Sequence, residues 1–316
     1  MTHLILLWTL IITIVMSFST SSFFSLWICL EMNMMMFIPI MNSKTLLSSN
    51  SITFYFITQS LASTIFIFFF LLSLINPTLL INNTFMVSAI LMKLGAAPFH
   101  IWFPEVSEGL KFSSLLVLMT LQKLIPLLIL NFMNNFIMLM SLLMSTTVGS
   151  LGGWNQNSIR KILAFSSITH IGWMISLIMN AKTWWLMYFF IYSFIITTFI
   201  FFVSKMNISF ISQISFLNEP LMKISFIMTL LSLGGMPPML GFLVKLLTIK
   251  IIILSMPMIL LVIIPSSLLN LFFYMRIMYP FLMKMFHYNQ MNFKKKKMLL
   301  PILAHCLSLF VLIPLL

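Results

Sequence analysis

A chain of 316 residues that is 61% hydrophobic and only 7% charged lies outside the soluble globular class, whose members carry roughly 25% charged residues. Its formal net charge of +13 fits the basic loops of a polytopic membrane protein, and no segment interleaves aromatic and basic residues as a nucleic-acid binder would. The two cysteines, Cys29 and Cys306, lie far apart in apolar runs, too few for an iron–sulfur cluster or a structural zinc, and they imply no disulfide framework.

At about 20 apolar residues per crossing, the pattern predicts one all-α transmembrane domain over 1–316 with about eleven helices and no soluble domain. The first span is Leu4–Ser22. No Lys or Arg precedes Lys44, so neither a signal peptide nor an Arg-rich transit peptide is expected, and the first helix serves as its own membrane address. Alternatively the chain is made where it inserts. The excess of Met, Phe, Ile and Asn, all AT-rich codons, points to a biased genome such as an animal mitochondrial one. The second span, Phe24–Met41, contains Glu31 in WICLEMNMMMFIP. A carboxylate inside a membrane helix must face the bundle interior and find a cation or a proton.

The third span is Ile52–Ile75 and the fourth Phe85–Phe103. The fourth runs into KLGAAPFHIWFPEVSE, where Lys93 precedes three small residues, then Pro98 and His100. Proline donates no backbone hydrogen bond, so a helix is broken or kinked here, and such a break survives in a membrane only where protein or enclosed water satisfies the freed carbonyls. The fifth span, Ser113–Phe132, carries Lys123 just before Pro126. Phe136–Gly152, Ile159–Met179 and Trp184–Ser204 follow, with His170 among hydroxyl residues in SSITHIGW. The ninth span, Ile224–Leu246, repeats the theme in LSLGGMPPMLGFLVK, with Lys245 after the Gly/Pro break. Ile251–Tyr274 and Met298–Leu316 complete the set.

Glu31, Lys93, Lys123 and Lys245 thus lie within spans and are candidates for proton transfer, because burial in low dielectric disfavours the charged form of an amine or a carboxyl. His100 and His170 are candidate relays, since imidazole exchanges protons near neutral pH. Glu108 with Lys111, and Glu219 with Lys223, are spaced as ordinary helix ion pairs. Lys294–Lys297 reads as a solvated loop facing lipid headgroups. With an odd number of spans, roughly twelve loop cations fall on the N-terminal side, including Lys44, Lys111, Arg160, Lys161, Lys205 and Arg276; Lys182 and Lys250 fall opposite. The N-terminus is therefore expected on the positive-inside face, the matrix if the membrane is the mitochondrial inner one.

Paired Gly/Pro-interrupted spans in two halves of one chain are the mark of inverted-repeat transporter folds. The motifs WICLEMNMMMFIP, FITQSLAS, KLGAAPFHIWFPEVSEGL, LQKLIP, GSLGGWNQNSIRKILAFSSITHIGWM and LSLGGMPPMLGFLVK, in order over residues 27–245, resemble the antiporter-like membrane subunits of mitochondrial, animal-type NADH:ubiquinone oxidoreductase (respiratory complex I). The resemblance implies two inverted helical repeats, each with one discontinuous helix, the first repeat truncated. It implies a polar axis in which Glu31 pairs with Lys93, Lys123 is the central lysine and Lys245 the terminal one. It also implies that FMN, iron–sulfur clusters, NADH and ubiquinone belong to partner subunits, and that this chain packs against neighbouring antiporter-like and small membrane-arm subunits and lipid. The residues read alone leave two alternatives, a freestanding cation/proton antiporter and a structural membrane spacer.

Overall fold

The computed structural model describes residues 2–43, 45–76, 80–133, 135–181, 183–216 and 220–285. The expected span Met298–Leu316, the Lys294–Lys297 loop, His287, His305, Cys306, Glu219, Lys44 and Lys182 lie outside the described residues, as do the side chains of Lys223 and Lys284. Among the described residues the chain is all helix, with one isolated bridge between Ser158 and Phe210 in place of any strand.

Thirteen α-helices follow one another among the described residues: α1 Thr2–Ser19, α2 Phe23–Met41, α3 Leu46–Ile75, α4 Leu80–Leu94, α5 Trp102–Gly109, α6 Phe112–Met119, α7 Leu121–Asn131, α8 Phe136–Trp154, α9 Ile159–Asn180, α10 Trp184–Met206, α11 Pro220–Gly234, α12 Leu240–Ser255 and α13 Leu260–Met285. Among the described residues seven apolar helical stretches are long enough to cross a bilayer, Phe112–Asn131 among them, and three shorter ones, His3–Ser19, Leu80–Leu94 and Ile224–Gly234, accompany them. The outer surface carries large apolar side chains such as Leu4, Trp8, Phe54, Phe68, Phe190 and Phe201. Water penalises such a surface and hydrocarbon does not, so the hydrophobic residues face outward as well as inward.

The core sits around α9. Seventeen of its residues, from Ile159 to Ile178, are buried. α8, α5, α12 and α10 pack around it. Its Ser and Thr hydroxyls donate to carbonyls one turn back, as Ser166 does to Leu163 (2.9 Å) and Thr169 to Ser166 (2.7 Å). A polar helix can thereby be central without leaving hydroxyl donors unpaired.

α4 and α11 end in the same way. Gly95 (φ +70°) and Gly235 (φ +76°) take the left-handed conformation that closes a helix, open to glycine without steric cost. The amide of Ala96 returns to the Leu91 carbonyl (3.0 Å) and that of Met236 to the Leu231 carbonyl (3.1 Å), the six-to-one bond of a Schellman cap. Each break also contains a cis peptide bond, Ala97–Pro98 and Pro237–Pro238.

Two expectations are corrected, and the expected span Ser113–Phe132, found as Phe112–Asn131, carries an irregularity. The span Ser113–Phe132 is interrupted at Thr120 (φ −116°, ψ −83°), giving α6 and α7; Pro126 removes the amide that would have served the Gln122 carbonyl one turn below it. The helix after the second break reaches Ser255, so Ile251–Ser255 belong to α12, and the following helix starts beyond Pro257, which cannot continue α12. Glu108 pairs with Lys161, at 2.7 Å, and not with Lys111, because α5 packs on α9 and brings a cation from another helix closer than its sequence neighbour.

Candidate functional site: a buried polar row through the bundle

At the first break, the carbonyls of Leu91, Met92 and Lys93 near the end of α4 find donors. Met92 accepts the Gly95 amide (3.1 Å) and the Trp102 indole N–H (3.0 Å), and Lys93 accepts the Gln59 side-chain amide (3.2 Å). The break is thus closed by protein groups, with α3 and α5 supplying the side chains. The Lys93 side chain is 2% exposed, and its Nζ stands 3.8 Å from Glu31 Oε1 on α2. That is an ion pair too long to be a hydrogen bond, and Glu31 Oε1 has no hydrogen-bond partner among the described residues.

Next to this pair runs a hydrogen-bonded chain that links α2, α3 and α7. The Tyr55 hydroxyl donates to Gln122 Oε1 (3.1 Å), and Gln122 Nε2 donates to Asn33 Oδ1 (3.1 Å). Asn33 lies two residues after Glu31 in α2, and Gln122 lies one before Lys123 in α7. Tyr55 also lies within electrostatic reach of Glu31.

Lys123 is buried, and its ammonium has no hydrogen-bond partner among the described residues. It lies 4.9 Å from the ring centroid of Phe103, just after the first break, and 5.6 Å from that of Tyr192 on α10. Ring faces attract a desolvated cation, worth about 2 kcal/mol, less than the several kcal/mol that burying an ammonium costs. The Tyr192 ring is 4.8 Å from the imidazole of His170, whose Nδ1 is 2.8 Å from the Tyr188 hydroxyl. His170 lies within electrostatic reach of both Lys245 and Lys123.

Lys245 ends the row. Its ammonium donates to the Gly234 carbonyl (2.8 Å), the last of α11, and stands 6.0 Å from the Trp173 ring centroid. A helix C-terminus carries partial negative charge, so a lysine of α12 caps the preceding half-helix across the break.

Glu31 and Lys93 thus meet at the first break, Lys123 and His170 share the Tyr192 ring, and Lys245 lies at the second break near Trp173, three residues along α9 from His170. His100 stands apart: it is half-buried at the rim of the first break, with Nδ1 3.3 Å from the Pro98 carbonyl. Tyr55, Gln122, Tyr188 and Tyr192 are additional members of the row. Tyrosine and glutamine in an apolar run carry no charge to flag them, and the pairing of residues 67 or 89 positions apart is written in helix packing, not in local spacing.

Comparison with known proteins agrees with this architecture. The sequence model of the NADH:quinone oxidoreductase/Mrp antiporter membrane region matches residues 20–272. NADH-ubiquinone oxidoreductase chain 2 of Anopheles gambiae is 41% identical over 90% of this chain and 87% of its own length; the chain of that name from Rhipicephalus sanguineus is 37% identical over 98% of both. Among solved structures, a chain of respiratory complex I from Thermus thermophilus superposes with a TM-score of 0.84 at 18% identity, covering 98% of this chain and 77% of its own. A chain of the Mrp complex from Dietzia gives 0.77 at 16% identity, covering 86% and 59%. The chain belongs to the NADH:quinone oxidoreductase/Mrp antiporter family of membrane proteins and has its fold.

Proposed function

We propose that this chain is the proton-translocating membrane subunit of an NADH:ubiquinone oxidoreductase, working through the row Glu31–Lys93–Lys123–His170–Lys245. The observation that carries the proton-transfer reading is the loose ion pair at the first break. At 3.8 Å the Glu31–Lys93 attraction is worth about 4 kcal/mol at an effective dielectric near 20, before desolvation costs. A conformational change in the partner subunits that lengthens or shortens this gap changes the proton affinity of Lys93. The change then acts through space on Lys123, and the proton passes by way of His170 to Lys245, which delivers it to the far side. His100, at the surface of the same break, is the candidate relay on the approach to Lys93.

The enzyme as a whole transfers electrons from NADH to ubiquinone. The flavin, the iron–sulfur clusters and both redox substrates are assigned to partner subunits, and this chain to the proton side of the coupling. Its place is the mitochondrial inner membrane, beside other antiporter-like and small membrane-arm subunits, with the N-terminus towards the matrix. The two Schellman-capped breaks, α4/α5 and α11/α12, are the discontinuous helices of two inverted repeats in a fold of about eleven spans.

The test is NADH-driven proton pumping in membrane vesicles carrying Lys93→Met, with assembly followed on a native gel. Normal assembly with reduced pumping per complex is the expected result. Unchanged pumping in a normally assembled complex would falsify the row as the proton path. Purification separates the remaining alternative, because a freestanding antiporter would pump without the large complex.

A further inference from the structure

Two tyrosines beside His170 and a third packed against them bury their hydroxyls in the bundle. Tyr188 and Tyr192 come from α10 and Tyr274 from α13, and each is at most 3% exposed. Their hydroxyls act electrostatically on one another, with Ser167 beside Tyr192 and Ser166 beside Tyr274. The Tyr192 and Tyr274 hydroxyls have only these serines near them and make no hydrogen bond of good geometry among the described residues, whereas Tyr188 is engaged at 2.8 Å by His170 Nδ1. A crevice of about 10 Å³, enough for one water, borders His170, Tyr188, Tyr192 and Ser232.

Imidazole has two nitrogens, and the partner of one decides what the other can do. A ring free to flip or to change tautomer presents either nitrogen to a neighbour and transfers protons in either sense. A ring held at Nδ1 presents Nε2 alone. The groups that reach His170 are Lys123 on α7, Tyr188 and Tyr192 on α10 and Lys245 on α12, with Tyr274 on α13 within electrostatic reach of both tyrosines. Of these, Tyr188 has the one hydrogen bond to the ring among the described residues.

We propose that Tyr188 is the positioning residue of His170: its oxygen accepts Nδ1–H, so that Nε2 is the atom that takes up and releases the proton passing between Lys123 and Lys245. The balance is simple. Nε2 gains a proton from the Lys123 side and loses one towards Lys245, Nδ1 keeps its hydrogen throughout, and Tyr188 keeps its own, directed into the crevice. This inference rests on the proton row proposed above and goes beyond it by fixing which imidazole nitrogen works and what holds it there.

The experiment uses the assembled enzyme in vesicles with Tyr188→Phe, His170→Gln and the double variant, alongside Lys123→Met. Phenylalanine keeps the ring that packs between α9 and α10 and removes only the hydroxyl. Pumping per assembled complex is expected to fall roughly fivefold in Tyr188→Phe, the worth of one buried hydrogen bond. The double variant should be no worse than His170→Gln alone, because a residue that acts through another adds nothing once that other is gone. Infrared difference spectra with isotope-labelled histidine supply a readout that packing does not move. The band lost in His170→Gln should report an Nδ1–H ring in the unsubstituted enzyme and an Nε2–H ring in Tyr188→Phe.

An Nε2–H ring in the unsubstituted enzyme, additive losses in the double variant, or full pumping in Tyr188→Phe would each overturn the assignment of Tyr188. Where Lys123→Met lowers pumping in the same series, that outcome leaves the row standing. Full pumping in Lys123→Met strikes the row itself.

Discussion

Lys123 shows most clearly how a single residue divides stability from function. Its ammonium is buried between two aromatic faces with no oxygen to receive its hydrogens among the described residues. Nothing in the packing rewards that arrangement, since the ring attraction is smaller than the cost of desolvation. Methionine has nearly the same length and an apolar end. Lys123→Met is expected to leave thermal stability of the assembled enzyme unchanged, or to raise it by about 1 kcal/mol or more, while NADH-driven pumping drops. Differential scanning fluorimetry beside a pumping assay checks both halves, and a destabilised enzyme would show that the ammonium has an acceptor. Charges like this one were legible in the sequence, because a lysine or glutamate inside an apolar run stands out singly. The tyrosines around His170 were not. A hydroxyl on an aromatic ring suits a membrane helix anywhere, and only the packing of α9, α10 and α13 collects three of them.

At the scale of elements, the fold depends on helices that stop inside the bundle. Both breaks were visible as Gly/Pro runs, and both positive-φ glycines fall within them. The interruption at Thr120 was not visible, because Thr120 sits in an apolar run with neither Gly nor Pro beside it and the disturbing Pro126 lies further on. The second break joins conformation to chemistry more tightly than the first. A Cβ added to Gly235 would stand 2.9 Å from Lys245 Cδ and 3.0 Å from its Nζ, in a backbone conformation that already costs an L-residue roughly 1–2 kcal/mol. Gly234, one position earlier, has its nearest neighbour at 3.4 Å and no such φ. Gly235→Ala is therefore expected to lower both stability and pumping, by moving the ammonium off the Gly234 carbonyl, whereas Gly234→Ala should be close to neutral. Comparing the two variants in the same membranes separates a local effect at Lys245 from a general intolerance of substitution in α11.

Over the whole molecule, charge is sorted as strictly as polarity. The Arg160 guanidinium donates to the Glu108 carbonyl (2.9 Å), Lys161 pairs with the Glu108 carboxylate, and Arg276 donates to the Gln156 carbonyl (2.8 Å). These bonds tie the end of α5, the start of α9, the loop after α8 and the last part of α13 into one basic end of the bundle. The bridge beside Ser158 brings the segment after α10, with Lys205 close by, to the same end. Arg160, Lys161 and Arg276, three of the cations expected on one side of the membrane from loop counting, thus meet in space. The positive-inside rule then gives that end a side, because cationic loops are retained where the chain is inserted. Asn155 is exposed in the loop at this basic end and offers a place to read the orientation. Asn155→Cys, compared with the unsubstituted enzyme as background for Cys29 and Cys306, should react with a membrane-impermeant maleimide in inside-out vesicles and be protected in intact mitoplasts. The opposite pattern would place the N-terminus and the whole basic end outside the matrix, and would reverse the direction in which the row from Glu31 to Lys245 moves protons.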